Sequence, residues 1–242
     1  MMCIGSFDLE KKAAIVAVIS QKPLETSKKA AEMGADILEI RLDLLEIRDF
    51  KQAVKLLNAI KNEVELPLII TNRSRNEGGK WRGREEERIS LLINLLSLEN
   101  ITDAVDIELS AEKKDRDKVL KAAKEAEKKV IISSHNFSKT PSFQEMEVIL
   151  EKAFLEGADI AKLAVMPQAA KDVLDLLKLS LQFRETGKTI CTIAMGRLGA
   201  HTRVIAPFYG SALTYASVKS TTVTAPGQLP VNELKKMMEL LE

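Results

Sequence analysis

The stretch GADIAKLAVMP, residues 157–167, decides how the rest of the chain is interpreted. Gly157 is typical of a helix end, the apolar residues after it are typical of a short buried strand, and Pro167 closes the run. Lys162 lies in the middle of this strand. A buried ammonium group costs free energy unless it is paired, neutral or used in chemistry, so the stretch predicts a strand with a functional lysine.

The same pattern, a helix end followed by a strand, occurs earlier in the chain. AAEMGADILEIRL (residues 30–42) and AFLEGADIAKLAV (residues 153–165) both combine a helix pattern, GADI and a strand pattern. Gly34 and Gly157 occupy the position that often follows a helix C-terminus. Aligning the two stretches places Glu39 opposite Lys162, which predicts equivalent positions in two units of one repeating architecture.

Eight strand candidates alternate with helix patterns, roughly every 22–37 residues, which is near the length of a βα unit. They are 13–20, 35–41, 66–73, 103–109, 130–135, 158–164, 189–195 and 211–217. This order favours a (β/α)8 TIM barrel in a single domain spanning residues 1–242, and the alternative is an open doubly wound sheet. In a barrel, Glu39 and Lys162 would lie on opposite sides, on even-numbered strands whose inward side chains share layers.

Helix patterns fill most of the connections. In residues 85–100, the apolar face is formed by Ile89, Leu92 and Leu96, with the charges opposite. The last pattern is expected to turn four side chains inward: Val231, Leu234, Met238 and Leu241. No long helix pattern occupies residues 196–210, so we expect an irregular unit after the seventh strand.

The composition favours a soluble cytoplasmic protein without a nucleic-acid partner. The 242 residues include 36 basic and 35 acidic ones, without a basic cluster interleaved with aromatics, so no nucleic-acid partner is expected. Cys3 and Cys191 are far apart, which fits a reducing compartment. The N-terminus lacks a signal-peptide pattern and the longest uncharged run, 204–218, is too short to span a bilayer, so no membrane association is expected.

Polar residues share inward faces near the C-terminal ends of the predicted strands. Because side chains alternate along a strand, four pairs each lie on one face: Glu39 with Arg41, Thr71 with Arg73, Asp106 with Glu108, and Ser133 with His135. Lys162 shares the face of Ala158 and Ile160 on the sixth strand, and Met195 shares that of Cys191 and Ile193 on the seventh. Barrel enzymes build active sites at this end. A salt-bridge network capping the barrel is the alternative for any one pair, whereas lysine, histidine, glutamate and arginines on one rim indicate a site.

Lys162 is the predicted nucleophile. Burial lowers the pKa of an amine, and neighbouring arginines would lower it further. A neutral amine attacks a ketone to form an imine, which makes the adjacent C–H acidic. His135, at the end of the adjacent strand, is then the expected general acid and base, and Glu77 in the turn RNEGG is placed to orient it. His201 is expected to be solvated.

Three arginines, Arg41, Arg73 and Arg203, indicate an anionic substrate such as a carboxylate, and Glu39 suits hydroxyl groups. The hydroxyl-rich loop STTVTAPGQLP, residues 220–230, is expected to fold over the mouth as a lid. Two histidines and two scattered cysteines give no metal-ligand spacing, and neither a Walker loop nor a GxGxxG after a strand is present. The sequence therefore predicts cofactor-free chemistry with the lysine as electron sink.

Eight pieces of the chain, in order, resemble the type I 3-dehydroquinate dehydratases over nearly its whole length. They are EIRLD (39–43), TNRSRNEGG (71–79), VDIEL (105–109), SSHNF (133–137), AKLAVMP (161–167), AMGRLGAHTR (194–203), YGSALTYAS (209–217) and TAPGQLP (224–230). The resemblance implies a homodimeric (β/α)8 barrel that removes water from 3-dehydroquinate to give 3-dehydroshikimate. This is a step of the shikimate pathway of aromatic amino acid biosynthesis.

The resemblance also implies a role for each site residue. Lys162 would form the covalent imine, His135 would remove the adjacent proton and protonate the departing hydroxyl, and Glu77 would position His135. Arg203 would bind the substrate carboxylate, and Asp106 would act only from behind the residues that touch substrate. The other implied substrate contacts are Glu39, Arg41, Arg73, Met195, Thr224 and Gln228.

Two departures from the family pattern are visible. Thr224 stands where the family generally has serine, which keeps the hydroxyl and adds a methyl group, and Thr202 replaces a serine before Arg203. Two other hypotheses stay open on the residues alone. One is a class I aldolase-type Schiff-base barrel acting on another keto acid, and the other is a catalytically silent barrel that binds a metabolite or a protein.

Overall fold

The computed structural model describes residues 2–218 and 224–241. In this part of the chain the strands are β1 (Cys3–Ile4), β2 (Phe7–Asp8), β3 (Ala14–Ile19), β4 (Ile37–Arg41), β5 (Leu68–Thr71), β6 (Ala104–Glu108), β7 (Lys129–Asn136), β8 (Ile160–Val165), β9 (Ile190–Ala194) and β10 (Leu213–Ala216). The helices are α1 (Pro23–Glu32), α2 (Phe50–Glu63), α3 (Glu85–Leu96), α4 (Lys113–Glu125), α5 (Phe143–Leu155), α6 (Ala170–Glu185), α7 (Gly196–Gly199), α8 (Thr202–Ile205) and α9 (Val231–Glu239). Two 3-10 turns, Arg75–Glu77 and Ala206–Tyr209, complete the order.

Eight parallel strands form a nearly closed barrel. Their order is β10, β3, β4, β5, β6, β7, β8 and β9, so each hydrogen-bonded pair except β10 and β3, the last and first strands of the barrel, is consecutive in sequence. The seam lies between β9 and β10. At the seam, Ile190 pairs with Ser211, and Ala212 N–H donates to Ile190 O at 2.8 Å. All eight strand predictions and the barrel are confirmed, and the open doubly wound sheet is excluded.

The N-terminal hairpin of β1 and β2 has no counterpart among the predicted elements. Its two-residue strands are too short to produce a periodic pattern. Ile4 and Leu9 are buried and pack with the inward side chains at the beginnings of the strands, among them Ile37 and Ala104. The hairpin therefore closes the N-terminal end of the barrel and leaves the other end for a cavity.

The repeated GADI stretch has one structure in both copies. Gly34 and Gly157 follow α1 and α5 with φ angles of 88° and 98°, in the left-handed region that glycine adopts without strain. After each glycine, the alanine N–H donates to a carbonyl five residues earlier, at 3.0 Å. Both glycines thus end their helices as the sequence predicts.

The aspartate of each copy fixes the adjacent strand. Asp36 accepts the backbone N–H of Ile15 at 2.9 Å, and Asp159 accepts that of Val130 at 2.8 Å. Each carboxylate therefore satisfies an N–H at the beginning of the preceding strand. The repeat reflects this connection, which sets the height of β4 and β8 and hence of Glu39 and Lys162 in the barrel.

The helix predictions hold with two exceptions. Ile89, Leu92 and Leu96 are buried on α3 as expected, but Arg88, which falls on the charged side of that pattern, is also fully buried. Leu241 was expected to point inward; it lies beyond the end of α9 and is 55% exposed, so that prediction is wrong. The irregular unit after the seventh strand is confirmed as three short helical turns. Within the described ranges, each helix is too short or too polar to cross a bilayer.

Candidate active site

A cavity opens at the C-terminal ends of the barrel strands, with an empty volume of about 500 Å³ including the part open to solvent. This volume fits a small ligand. The structure brings all ten sequence-predicted site residues to its wall: Glu39, Arg41, Arg73, Glu77, His135, Lys162, Met195, Arg203, Thr224 and Gln228. The inward parity that the strands predicted accounts for six of them.

Lys162 rises from β8 into a setting that the sequence did not predict. Its Nζ lies 3.0 Å from Asp106 Oδ2 and 3.7 Å from Glu39 Oε1. The same Nζ lies 3.9 Å from the centroid of the Tyr215 ring. Two carboxylates within 4 Å thus join the expected apolar neighbours and arginines, and their contact with Nζ was not predicted. Paired charges explain how the side chain stays 4% exposed.

Asp106 lies directly behind the proposed nucleophile. It is fully buried, pairs with Arg73 at 2.8 Å and accepts the Ser133 hydroxyl at 2.6 Å, in addition to Lys162. Burial alone would raise the pKa of Asp106, but the charges of Arg73 and Lys162 outweigh it and hold that pKa well below its ordinary range. Asp106 is absent from the cavity wall and contacts the proposed nucleophile, which fits the expected position behind the residues that touch substrate.

The ion pairs continue outward from the cavity. Arg73 Nη1 lies 3.1 Å from Glu108 Oε1, and Glu108 Oε2 lies 2.9 Å from Arg88 Nη1. Burial alone would lower the pKa of Arg73, but Asp106 and Glu108 raise it well above its ordinary value. Arg88 reaches this network from α3. Its helical pattern gave no signal for this, because a buried arginine and a solvated one look alike in sequence.

His135 and Glu77 form a close pair. Glu77 Oε2 accepts the His135 backbone N–H at 2.9 Å and lies 2.8 Å from ring Nδ1. The other Glu77 oxygen accepts the Ser110 hydroxyl. Phe137 stacks on the imidazole with the ring centroids 6.2 Å apart. The pair therefore fixes both the position and the orientation of the ring.

The electrostatics of the pair suit proton transfer near neutral pH. Burial raises the pKa of Glu77 to about 7. Burial, with the positive charges of Arg73 and Lys162, holds the pKa of His135 well below its ordinary value. At and above neutral pH, the hydrogen-bond network then assigns the imidazole proton to Nδ1, facing the carboxylate, and leaves the Nε2 lone pair as a base.

Arg41 is held by a neighbouring carboxylate. Its Nε and Nη2 donate to the two oxygens of Asp43 at 2.9 and 2.8 Å. Burial would raise the pKa of Asp43, but Arg41 outweighs it and the pKa is lowered. On the same strand, Glu39 accepts the Thr71 hydroxyl at 2.9 Å. Arg41 therefore brings little net charge to the cavity, although it lines the wall.

Arg203 differs from the other cavity arginines because no carboxylate of residues 2–218 or 224–241 pairs with it. Its guanidinium donates to backbone carbonyls of Gly227, Tyr215 and Pro226 at 2.8, 3.0 and 3.2 Å. Burial lowers the pKa of Arg203 to about 10, so the side chain stays charged at neutral pH. An uncompensated buried cation on a cavity wall is suited to a carboxylate ligand.

The segment after β10 contributes Thr224 and Gln228. Gln228 Oε1 accepts the Thr224 backbone N–H at 2.8 Å and its hydroxyl at 3.2 Å. This orientation leaves the Gln228 amide NH2 as the donor for a ligand. Residues 220–223 of the predicted lid lie outside the described residues, and a closing motion of the loop stays a prediction.

The remaining wall is apolar, with Met195 buried beside Ile193 and Val18. His201 is exposed, as expected. Cys3 and Cys191 are both free thiols. In the part of the chain that the structure describes, no group of three acidic, histidine or cysteine side chains is placed to hold a metal ion. Sequence reasoning missed Tyr215, Phe137, Ser110 and Asp43, of which only Tyr215 had a usable signal, its inward parity on the last strand.

The comparisons with known proteins agree on one family. The sequence model described as Type I 3-dehydroquinase matches residues 14–242. The chain is 65% identical to a 3-dehydroquinate dehydratase of Methanosarcina acetivorans over 242 residues, which covers all of both chains. It is 64% identical to the corresponding protein of Methanosarcina barkeri, again over all of both chains.

Solved structures give the same result. The chain matches a type I 3-dehydroquinate dehydratase from Clostridium difficile, crystallised with covalently modified comenic acid, with a TM-score of 0.89 and 32% identity. That match covers 95% of this chain and 92% of the other. A 3-dehydroquinate dehydratase from Geobacillus kaustophilus matches with a TM-score of 0.88 and 32% identity, over 95% and 91% of the two chains.

Proposed function

This chain belongs to the type I 3-dehydroquinase family, and from that premise we infer how its cavity removes water from 3-dehydroquinate. The reaction yields 3-dehydroshikimate and is a carbon–oxygen lyase step of the shikimate pathway. The observation that carries the mechanism is the position of Lys162 in one cavity with the His135–Glu77 pair and Arg203. The residue roles that follow are our proposal.

The first step joins the substrate to the protein. His135 Nε2, in the same cavity, takes a proton from the Lys162 ammonium, and the freed lone pair of Nζ attacks the ketone carbon to form a C–N bond. The carbonyl oxygen then takes one proton from Nζ and one from the imidazolium and leaves as water, which gives an iminium ion. Asp106 and Glu39 lie within 4 Å of Nζ, so their negative charges stabilise this cation. The iminium then withdraws electrons from the adjacent carbon.

The second step is the elimination. His135 Nε2 takes a proton from the carbon next to the iminium, and the C–H electrons form an enamine. The enamine expels the hydroxyl from the following carbon, and the same imidazolium returns its proton so that water leaves. Glu77, on the Nδ1 side at 2.8 Å, stabilises the transient imidazolium. Hydrolysis of the new iminium releases product and restores Lys162.

Substrate orientation is assigned to the polar wall. Arg203 binds the ring carboxylate, because it is the cavity arginine without a carboxylate partner in the described residues. Glu39, Arg41, Arg73 and Gln228 face the hydroxyl groups, and Met195 packs against the ring. Thr224 holds the amide of Gln228 in the donor orientation. The methyl group that distinguishes threonine from serine does not prevent this contact.

The test is turnover of 3-dehydroquinate by the purified chain, followed by the ultraviolet absorbance of the conjugated product. Wild type is expected to be active, and Lys162→Ala should fold but show no turnover, since alanine fits a barrel interior. Inactive wild type with imine formation from other keto acids would favour an aldolase-type barrel. Inactive wild type without any imine would favour a silent binding barrel.

We propose that the reaction needs no cofactor, since the Lys162 iminium itself acts as the electron sink. Exhaustive dialysis against a chelator should leave kcat unchanged. A loss of activity that an added divalent metal restores would contradict the proposal.

We also propose a homodimer, which the family resemblance implies. Its support in the structure is an exposed apolar stripe on the neighbouring helices α5 and α6: Val148, Leu155, Leu174 and Leu181. Each pair is seven residues apart and so lies on one face of its helix. Leu155→Glu should shift the sedimentation coefficient toward a monomer, whereas Leu240→Glu, at another strongly exposed leucine just beyond α9, should not.

The cytoplasm is the proposed location, supported by the two free thiols, which are typical of a reducing compartment. Fractionation of the source cells with an antibody against the chain would test this. Recovery in a membrane or secreted fraction would contradict it.

A further inference from the structure

Tyr215 is the residue of the cavity whose polar atom has no assigned use. It lies on β10, is 3% exposed and lines the cavity. Its hydroxyl is buried without a hydrogen-bond partner in residues 2–218 and 224–241. A buried hydroxyl without a partner costs free energy, so its retention beside a reacting amine calls for a ligand atom as partner.

The ring of Tyr215 is already positioned against the nucleophile. Lys162 Nζ lies 3.9 Å from the ring centroid, a distance suited to a cation–π contact. No hydrogen bond joins the hydroxyl to that amine. The hydroxyl is thus carried by a ring whose face touches Nζ, in the wall of the same cavity.

The other hydroxyls near the amine are committed to protein acceptors. Thr71 donates to Glu39 at 2.9 Å and Ser133 donates to Asp106 at 2.6 Å. Thr224 donates to Gln228 at 3.2 Å. Among the hydroxyls that the structure describes around the cavity, Tyr215 therefore remains as the uncommitted donor.

Tyr215 also keeps its proton. Burial raises the pKa of its phenol well above the ordinary value, and the negative charge of Glu39 acts in the same direction. A phenol that stays neutral is a hydrogen-bond donor throughout the working pH range.

We propose that the Tyr215 hydroxyl donates a hydrogen bond to the substrate ketone oxygen, and then to the same oxygen of the carbinolamine. When Nζ attacks, the C–N bond forms and the π electrons of the carbonyl move onto oxygen. A fixed donor at that oxygen stabilises the charge that develops there. Tyr215 gives up no proton in this step, and the oxygen later leaves as water with one proton from Nζ and one from the His135 imidazolium. This role rests on the proposed imine mechanism.

Tyr215→Phe is a matched test, because it removes the hydroxyl and keeps the ring against Lys162. Rapid mixing with 3-dehydroquinate, quenching with borohydride and intact mass measurement give the rate of imine formation. We expect that rate to fall about ten- to hundredfold relative to wild type. The affinity for a cyclohexenecarboxylate without a ketone should change less than twofold, and the unfolding midpoint should not fall, because no protein hydrogen bond is lost.

Two results with the Tyr215→Phe variant would overturn the proposal. Imine formation at the wild-type rate would mean that the hydroxyl is unused. An equal loss of affinity for the ketone-free ligand would show a general packing role. Failure of the wild-type protein to trap substrate would instead contradict the proposed function, so the two failures are distinguishable. Tyr215→Leu, which also removes the ring, should slow imine formation further than Tyr215→Phe does.

Discussion

Glu39 Oε1 lies 3.7 Å from Lys162 Nζ, although the two residues occupy equivalent positions in the two copies of the GADI stretch. Strands β4 and β8 stand on opposite sides of the barrel, so their inward side chains meet across it. The same local sequence therefore places opposite charges in contact at the cavity floor. The nucleophile is held by a charge network, and the predictions below act on that network.

Asp106→Asn should destabilise the fold. The amide keeps the shape of the side chain but leaves the charges of Arg73 and Lys162 without their closest buried carboxylate. Breaking a buried ion pair on one side costs about 3–5 kcal/mol, and urea unfolding measures it. The control is Glu63→Gln, which breaks an exposed pair with Lys28 and should leave the unfolding midpoint nearly unchanged. Equal midpoints for both variants would contradict the account of Asp106.

Glu77→Gln should remove a pH dependence of activity. In wild type, kcat/KM is expected to rise as pH increases through about 7, because Glu77 must be ionised to stabilise the His135 imidazolium. The glutamine variant should lose about 10² in kcat and should not show this limb. If kcat/KM of the variant still rises through about pH 7 as in wild type, the titrating group is not Glu77.

The same carboxyl should also affect stability, in a direction that its pKa fixes. The folded state raises the pKa of Glu77 from 4.5 to about 7, so it favours the protonated form. The stabilisation of the folded state by the protonated Glu77 carboxyl is fully present below the ordinary pKa of 4.5, and it is lost as pH rises through about 7. Relative to Glu77→Gln, wild type should lose up to about 3 kcal/mol of unfolding free energy across that window. Parallel unfolding curves of the two proteins at every pH would rule this out.

Arg203→Lys should weaken substrate binding more than it slows chemistry. Lysine keeps the charge but cannot donate to three carbonyls and present a planar fork to a carboxylate. We expect KM to rise by about one to two orders of magnitude and kcat to fall less. The control is Arg184→Lys, an exposed arginine on α6, which should leave both constants unchanged. A kcat effect larger than the KM effect would place Arg203 in the chemical step instead.

Gly79→Ala should disturb the turn that carries Glu77. A Cβ at this position would lie 1.9 Å from the backbone carbonyl oxygen of Arg73, so the turn cannot keep its shape. Activity should fall by at least about 10² because the Glu77–His135 contact is displaced. Gly187→Ala is the control: with a φ of 72° and no atom near its Cβ, it should lose about 1 kcal/mol of stability and keep full activity. Normal activity in the Gly79 variant would show that the turn adapts.

Much of the fold and the cavity wall follows from sequence, because strands impose strict alternation. Once Lys162 points inward, the parity of β4, β5 and β7 places Glu39, Arg73 and His135 in the same interior. The barrel itself follows from eight strands at βα spacing. These inferences depend on periodicity and topology, which are properties of the local sequence.

What sequence could not predict depends on contacts between distant elements. The direct contact of Asp106 with Lys162 and the reach of Arg88 from α3 are set by packing, and neither leaves a periodic signal. The N-terminal hairpin is too short to be recognised. The wrong prediction for Leu241 has a similar cause. Leu241 continues the apolar pattern of α9, but the helix ends at Glu239 before that residue reaches the core.

Borohydride trapping with 3-dehydroquinate, read by intact and peptide mass spectrometry, tests the central claim most directly. The account predicts one reduced adduct, on the peptide that carries Lys162, and its absence in Lys162→Ala. A folded protein that turns over substrate without forming an adduct, or that carries the adduct on another lysine, would contradict it.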